Sequence, residues 1–168
     1  MKGFTLIELL IYIGILAMVL VSTGGFLWNI IFGNIKETSY QEVLENGQFV
    51  LAKLTQEIKR AKGINSPAPA NSSSSLSLAM TSVASNPTVF DLVDGKLRIT
   101  KGVSGPYLIT SDQVVVSNLK FTNLSYSDTP GTLRIEMTLN HNNPGNRIEY
   151  EASINLKSTV TLVPGGAP

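Results

Sequence analysis

The chain has no cysteine in its 168 residues, so disulfide frameworks and thiolate metal sites are excluded, and any exported domain must hold together through its core alone. Histidine is nearly absent. The single one, His141, lies in the Asn-rich stretch 140–146 with no second His or Cys beside it, which predicts a surface residue and no metal site. Charged residues make up 15% of the chain and leave a formal net charge of +1, too little for a field that draws nucleic acid or acidic substrates. Lys59, Arg60 and Lys62 form the one basic cluster and read as a solvated helix end, so nucleic acid is not expected as a partner. Asp91, Asp94, Asp112 and Asp128 are scattered among turns without the ligand spacing of a calcium loop. No nucleophile motif and no glycine-rich phosphate loop occurs, so neither an enzyme nor a cofactor is expected. From Leu9 to Ile35 there is no charged side chain at all.

That uncharged run is the most informative segment of the chain. It exceeds the roughly 20 apolar residues needed to cross a bilayer. Just ahead of it stand Met1-Lys2-Gly3-Phe4-Thr5-Leu6-Ile7-Glu8, where a single carboxylate is set among apolar residues. An acidic group well inside a membrane helix costs on the order of 2.5 to 3.5 kcal/mol on insertion scales and less near the edge, so Glu8 calls for a functional explanation. The run is too long for a cleaved secretory signal. Its small residues Ser22-Thr23-Gly24-Gly25 are followed by more apolar ones, from Phe26 to Phe32. A bitopic anchor is the simpler reading, with Lys2 favouring a cytoplasmic N-terminus and the rest of the chain outside.

Beyond Ile35 the helical period continues but becomes amphipathic. Tyr40, Val43, Leu44, Gly47, Val50, Leu51, Leu54, Ile58 and Ala61 recur at three-and-four spacing, which predicts a face packed on the protein's own sheet. Glu37, Glu42 and Glu45 precede Lys53, Lys59, Arg60 and Lys62, an order that complements the helix macrodipole. Gly63 is expected to stop the helix. From Phe4 to Lys62 the pattern predicts one nearly continuous helix of about 90 Å, with local weakness at the poor helix formers Gly24 and Gly25.

Residues 65–75, rich in Pro and Ser, read as a flexible connector. After them, short alternating runs bounded by turn residues predict an antiparallel sheet. Val89–Val93 and Lys96–Thr100 flank Asp94-Gly95, a two-residue hairpin signal. Further strands are expected at Tyr107–Thr110, Val114–Ser127, Leu133–Leu139 and Ile148–Thr161, with a hairpin turn at 140–146 and a frayed tail from Pro164. The expected fold class is therefore α+β, a long N-terminal helix whose second half covers one face of a C-terminal antiparallel sheet.

With Lys2-Gly3-Phe4-Thr5-Leu6-Ile7-Glu8 at its start and this layout along its whole length, the chain resembles the type IV pilin superfamily, including the pseudopilins of type II secretion systems. The resemblance implies cleavage by prepilin peptidase between Gly3 and Phe4 and N-methylation of the new Phe4 amine. It also places the family's characteristic glutamate at Glu8. It divides the chain into a leader at 1–3, a transmembrane and polymerisation helix at 4–34, an amphipathic helix at 35–63 and a sheet-rich domain at 64–168. The implied partners are prepilin peptidase, other pilin or pseudopilin subunits, an inner-membrane assembly platform and the membrane itself. The expected location is the cytoplasmic membrane and then a pilus or pseudopilus. The sequence around Phe49, Leu54 and Lys59-Arg60-Ala61 looks more like minor pilins and minor pseudopilins than a major subunit.

Two features depart from the family pattern. Gly24-Gly25 stand where many pilins carry a proline, and no cysteine pair closes a C-terminal loop. Once the leader is removed, Phe4 carries a cationic amine four residues ahead of Glu8, which suits ion pairing within or between chains when the apolar helices bundle. The alternative reading is a membrane-anchored extracytoplasmic binding module that does not polymerise. A secreted domain behind an ordinary signal is a third reading.

Overall fold

A computed structural model describes residues 3–126 and 131–163. Met1 and Lys2 of the expected leader, Asp128, Ser127 at the end of an expected strand, and the expected tail from Pro164 lie outside the described residues. One helix, α1, runs unbroken over Leu6–Arg60, 55 residues and about 80 Å. Gly24 and Gly25 lie within it without interrupting it.

The strands are β1 (Ala61–Ser66), β2 (Ser72–Ser73), β3 (Leu76–Met80), β4 (Thr88–Val93), β5 (Lys96–Lys101), β6 (Ser104–Leu108), β7 (Val114–Asn123), β8 (Thr132–His141) and β9 (Ser153–Thr161). They form two antiparallel sheets rather than the single one expected, with strand orders β1-β3-β4-β5-β6 and β2-β7-β8-β9. The hairpin at Asp94-Gly95 is present. Val93 faces Lys96 across it, and both turn residues have positive φ, 50° and 72°, the backbone a twisted two-residue turn needs.

The helix seats on the four-stranded sheet, in contact with β9, β8 and β7. Its buried residues Ser39, Val43, Gly47, Val50, Leu54, Glu57 and Ile58 keep the predicted three-and-four spacing. Gly47 marks the closest approach, because a Cβ there would come within 2.7 Å of the Cδ1 methyls of both Ile154 and Leu156 on β9. One apolar cluster joins Val43, Val50, Leu54 and Ile58 of the helix to Phe90, Leu97 and Ile99 of the first sheet and to Phe121, Ile135 and Leu139 of the second.

Several local expectations are corrected. The helix ends at Arg60 rather than at Gly63: Ala61 already has extended backbone, φ −73° and ψ 144°, and the chain continues in β1 because β3 pairs with Ala61 and Gly63, on either side of a register shift at Lys62. Residues 65–75 are not a free connector, since β2 within them pairs with β7 and Ala70 N–H donates to the Asn123 carbonyl. Tyr40 is exposed and Ser39 takes the buried position, so the packed stripe enters the domain one residue earlier. The 107–110 strand lies earlier, as β6. The last strand starts at Ser153, because Ile148–Tyr150 form a 3-10 turn in a longer β8–β9 connection.

Candidate membrane and assembly segment

Thr5 caps α1. Its backbone is extended, φ −83° and ψ 149°, and its hydroxyl accepts from the Glu8 backbone N–H at 3.4 Å. Thr5-Leu6-Ile7-Glu8 is thus the S/T-x-x-E pattern of a capping box, a local signal in the sequence that the reading of Glu8 as a charge partner left out. Glu8 lies in the first turn, where a carboxylate is favoured by the unpaired N–H groups and the positive end of the helix dipole. Phe4 precedes the cap rather than forming the first helical residue. In this form the chain therefore does not set Phe4 and Glu8 one helical turn apart, although the Phe4 ring folds back to 5.9 Å from the Tyr12 ring.

From Phe4 to Ile31 the apolar side chains are exposed, Phe4 by 72%, and none of the most apolar window of the helix is covered by the domain. An exposed face of this extent is far larger than a soluble monomer sustains, and it is covered only by lipid or by other protein. Gly14, Gly24, Gly25 and Gly33 have nothing within 4 Å, so no packing within the chain requires glycine at these positions. Trp28 and Phe32 stack edge to face, ring centroids 5.3 Å apart, shortly before the first charged residue after Glu8, Lys36.

Residues 1–24 match the family model for the prokaryotic N-terminal methylation motif. The chain carries the prepilin-cleavage signature of type IV pilins and pseudopilins. This prepilin signature implies processing by prepilin peptidase and assembly with other pilin subunits. It belongs to a structural rather than an enzymatic family. Together with the apolar helix it fits a membrane-anchored, pilus-forming protein. No curated protein and no solved structure matches the chain.

The remaining polar candidates take structural places. Lys59 and Arg60 are exposed at the end of α1 and Lys62 is exposed on β1. Asp91 pairs with Arg98 directly across the β4–β5 hairpin, and Asp112 lies 3.7 Å from Lys96. Among the described residues, no three of His, Asp or Glu gather where a metal could be held. His141 is not a surface residue: its side chain is only 8% exposed, its Nε2 lies 3.1 Å from Glu42 of α1, and its ring stacks on Tyr150.

Glu57 was hidden by its place beside the apolar stripe. Its side chain is 1% exposed, with one carboxylate oxygen 2.5 Å from Lys101 Nζ on β5 and 3.3 Å from Lys53 Nζ one turn earlier. Burial pushes its carboxyl up, but hydrogen bonding and charge from Lys101, reinforced by Lys53, outweigh burial and hold it below the ordinary value.

Proposed function

We propose that this chain is a structural, minor subunit of a type IV pilus or a type II secretion pseudopilus. The observation that supports it is the division of α1, one uninterrupted helix that begins in the methylation motif, exposes its apolar first half completely, and buries one face of its second half on the sheet domain. A permanent anchor needs only a bilayer crossing. A rigid continuation into the domain suits an element that must leave lipid together with the domain and bundle with its equivalents.

In this reading residues 1–3 are a leader cut between Gly3 and Phe4, and Phe4 is N-methylated. Residues 4–34 are the transmembrane and polymerisation helix, 35–63 the amphipathic part and 64–168 the domain. The N-terminus faces the cytoplasm and the domain lies outside, served by an inner-membrane assembly platform. Glu8 neutralises a Phe4 amine once bundling removes it from water, since a buried unpaired carboxylate is strongly unfavourable. Cleavage makes that amine, and drawing residue 4 into the helix would bring the pair onto one face. Gly24 and Gly25, poor helix formers without packing constraints, let the helix loosen when it is extracted.

Intact-mass analysis of membrane-extracted protein tests the reading. A mature chain starting at methylated Phe4 is expected. Retention of Met1 would point instead to an anchored extracytoplasmic binding module, and a start beyond Gly24 to a secreted domain; either result overturns the proposal.

A further inference from the structure

We infer that the connection between β8 and β9, at Arg147–Tyr150, is a second membrane contact that seats the domain on the headgroup layer of the outer leaflet while the subunit waits in the bilayer. The inference rests on the reading of residues 4–34 as a membrane span.

The position of this turn along α1 is what places it at the membrane. Its residues Ile148 and Glu149 line a cleft of about 400 Å³ with Phe32, Gly33 and Lys36 of the helix. An uncharged helix from Leu9 to Ile35 is about 40 Å long, enough for the hydrocarbon core and much of one interface. Trp28 marks the interfacial zone preferred by indole rings, and Phe32 to Lys36 lie just outward of it. The turn therefore lies at headgroup depth whenever the helix spans.

The turn is also built to present an apolar side chain there. Ile148 is 77% exposed, although the turn around it is fastened on every side. Tyr150 stacks on His141, whose Nε2 meets Glu42 of α1. The Arg147 guanidinium lies 5.0 Å from the Tyr150 ring centroid and donates to Glu149. The Asn143 side chain closes the loop, accepting from Arg147 N–H at 3.0 Å and donating to the Arg147 carbonyl at 2.8 Å. A turn held this firmly keeps Ile148 pointing outward. Beside it, exposed Lys36 supplies positive charge, Arg147 being paired with Glu149, and this favours anionic headgroups at the same depth. The surface continues that of the span itself, so a lipid occupant requires no further partner.

The cysteine-free chain allows single reporter sites. The full-length protein would be placed at low density in vesicles of phosphatidylcholine and phosphatidylglycerol carrying headgroup-region or acyl-chain quenchers. A fluorophore would be attached in turn to Leu20→Cys, Ile148→Cys and Val103→Cys, the last at a fully exposed position on the β5–β6 turn. Acyl-chain quenching at position 20 establishes the span. Headgroup quenching at 148 at least threefold stronger than at 103 is expected, and it should weaken with Lys36→Gln or when phosphatidylglycerol is omitted.

Quenching at 20 with equal, aqueous behaviour at 148 and 103 overturns the seat while leaving the span intact. Loss of quenching at 20 overturns the span and the seat with it. Protection of 148 that appears only as protein density rises would assign the surface to a second copy of the chain and overturn the lipid contact.

Discussion

Glu57 of α1 and Lys101 of β5 lie 2.5 Å apart, and through them the helix that rests on one sheet is tied to the other. The carboxylate is buried, whereas Lys101 and Lys53 remain about a third exposed and keep part of their hydration. The pair therefore matters less for its net attraction than for what its removal strands in the interior. Glu57→Gln should lower stability near neutral pH by about 1 to 3 kcal/mol, and Lys101→Ala, which leaves the buried carboxylate with Lys53 alone, should cost at least as much. Chemical denaturation of the full chain in detergent micelles, followed by circular dichroism, measures both. An unchanged midpoint for both variants would remove Glu57 from any structural account.

Acid should weaken the same contact. The Glu57 carboxyl is held low in the folded protein, so its contribution is complete above the unfolded carboxylate value, about 4.3, and is lost as pH falls from there through the lowered folded value. Glu136, held low chiefly by its hydrogen bond from Lys157, and Glu149, held low chiefly by a backbone hydrogen bond and then by Arg147, shift in the same sense. Melting temperature is expected to drop across roughly pH 5 to 3, and the drop should be shallower in Glu57→Gln. Equal slopes for the two proteins would contradict this.

Gly47 sets how closely α1 approaches β9. A leucine there would drive its side chain into Ile154 and Leu156 and lift the helix from the sheet, costing about 3 kcal/mol. Alanine should cost far less, since both obstructing atoms end flexible side chains and alanine is favoured over glycine in a helix by about 1 kcal/mol. Thermal denaturation of the two variants should separate them clearly.

Glu8→Ala should insert into membranes at least as well as the parent, because a charge is removed from the edge of an apolar helix. Incorporation into filaments should nevertheless fall sharply. Membrane fractionation alongside recovery of sheared filaments gives both readings, and normal incorporation would rule out the pairing role for Glu8.

Local signals were legible where one stretch of chain settles its own conformation. The 3.6-residue spacing from Val43 to Ile58 identified the buried face, because any partner must meet the same side of the helix. Asp94-Gly95 specified its hairpin, since positive φ at two successive residues is tolerated by few residue types. The Thr5 cap was equally legible, but the glutamate that completes its pattern also stands four positions after Phe4, and the two spacings compete for the same residue.

Other features depend on distant residues. Whether Gly63 ends a helix or enters a strand is decided by β3, which lies more than ten residues on and offers Ala79 as its partner. His141 stands amid asparagines and looks solvated in sequence, because Glu42 is remote in the chain and Tyr150 lies beyond the turn, yet both close over it once α1 seats on the domain.

By itself the sequence determined the motif at the N-terminus, the uncharged run, the helix that continues from it and the antiparallel character of the strands beyond the helix, because each rests on periodicity, turn chemistry or transfer free energy read over neighbouring residues. Only the tertiary structure decided that the strands divide into two sheets, that Glu57 is buried between α1 and β5, and that the Ile148 turn meets the helix beside Phe32. Those outcomes are set by which distant segments pair and which surfaces close over them, and alternation along a strand names its buried face without naming its neighbour.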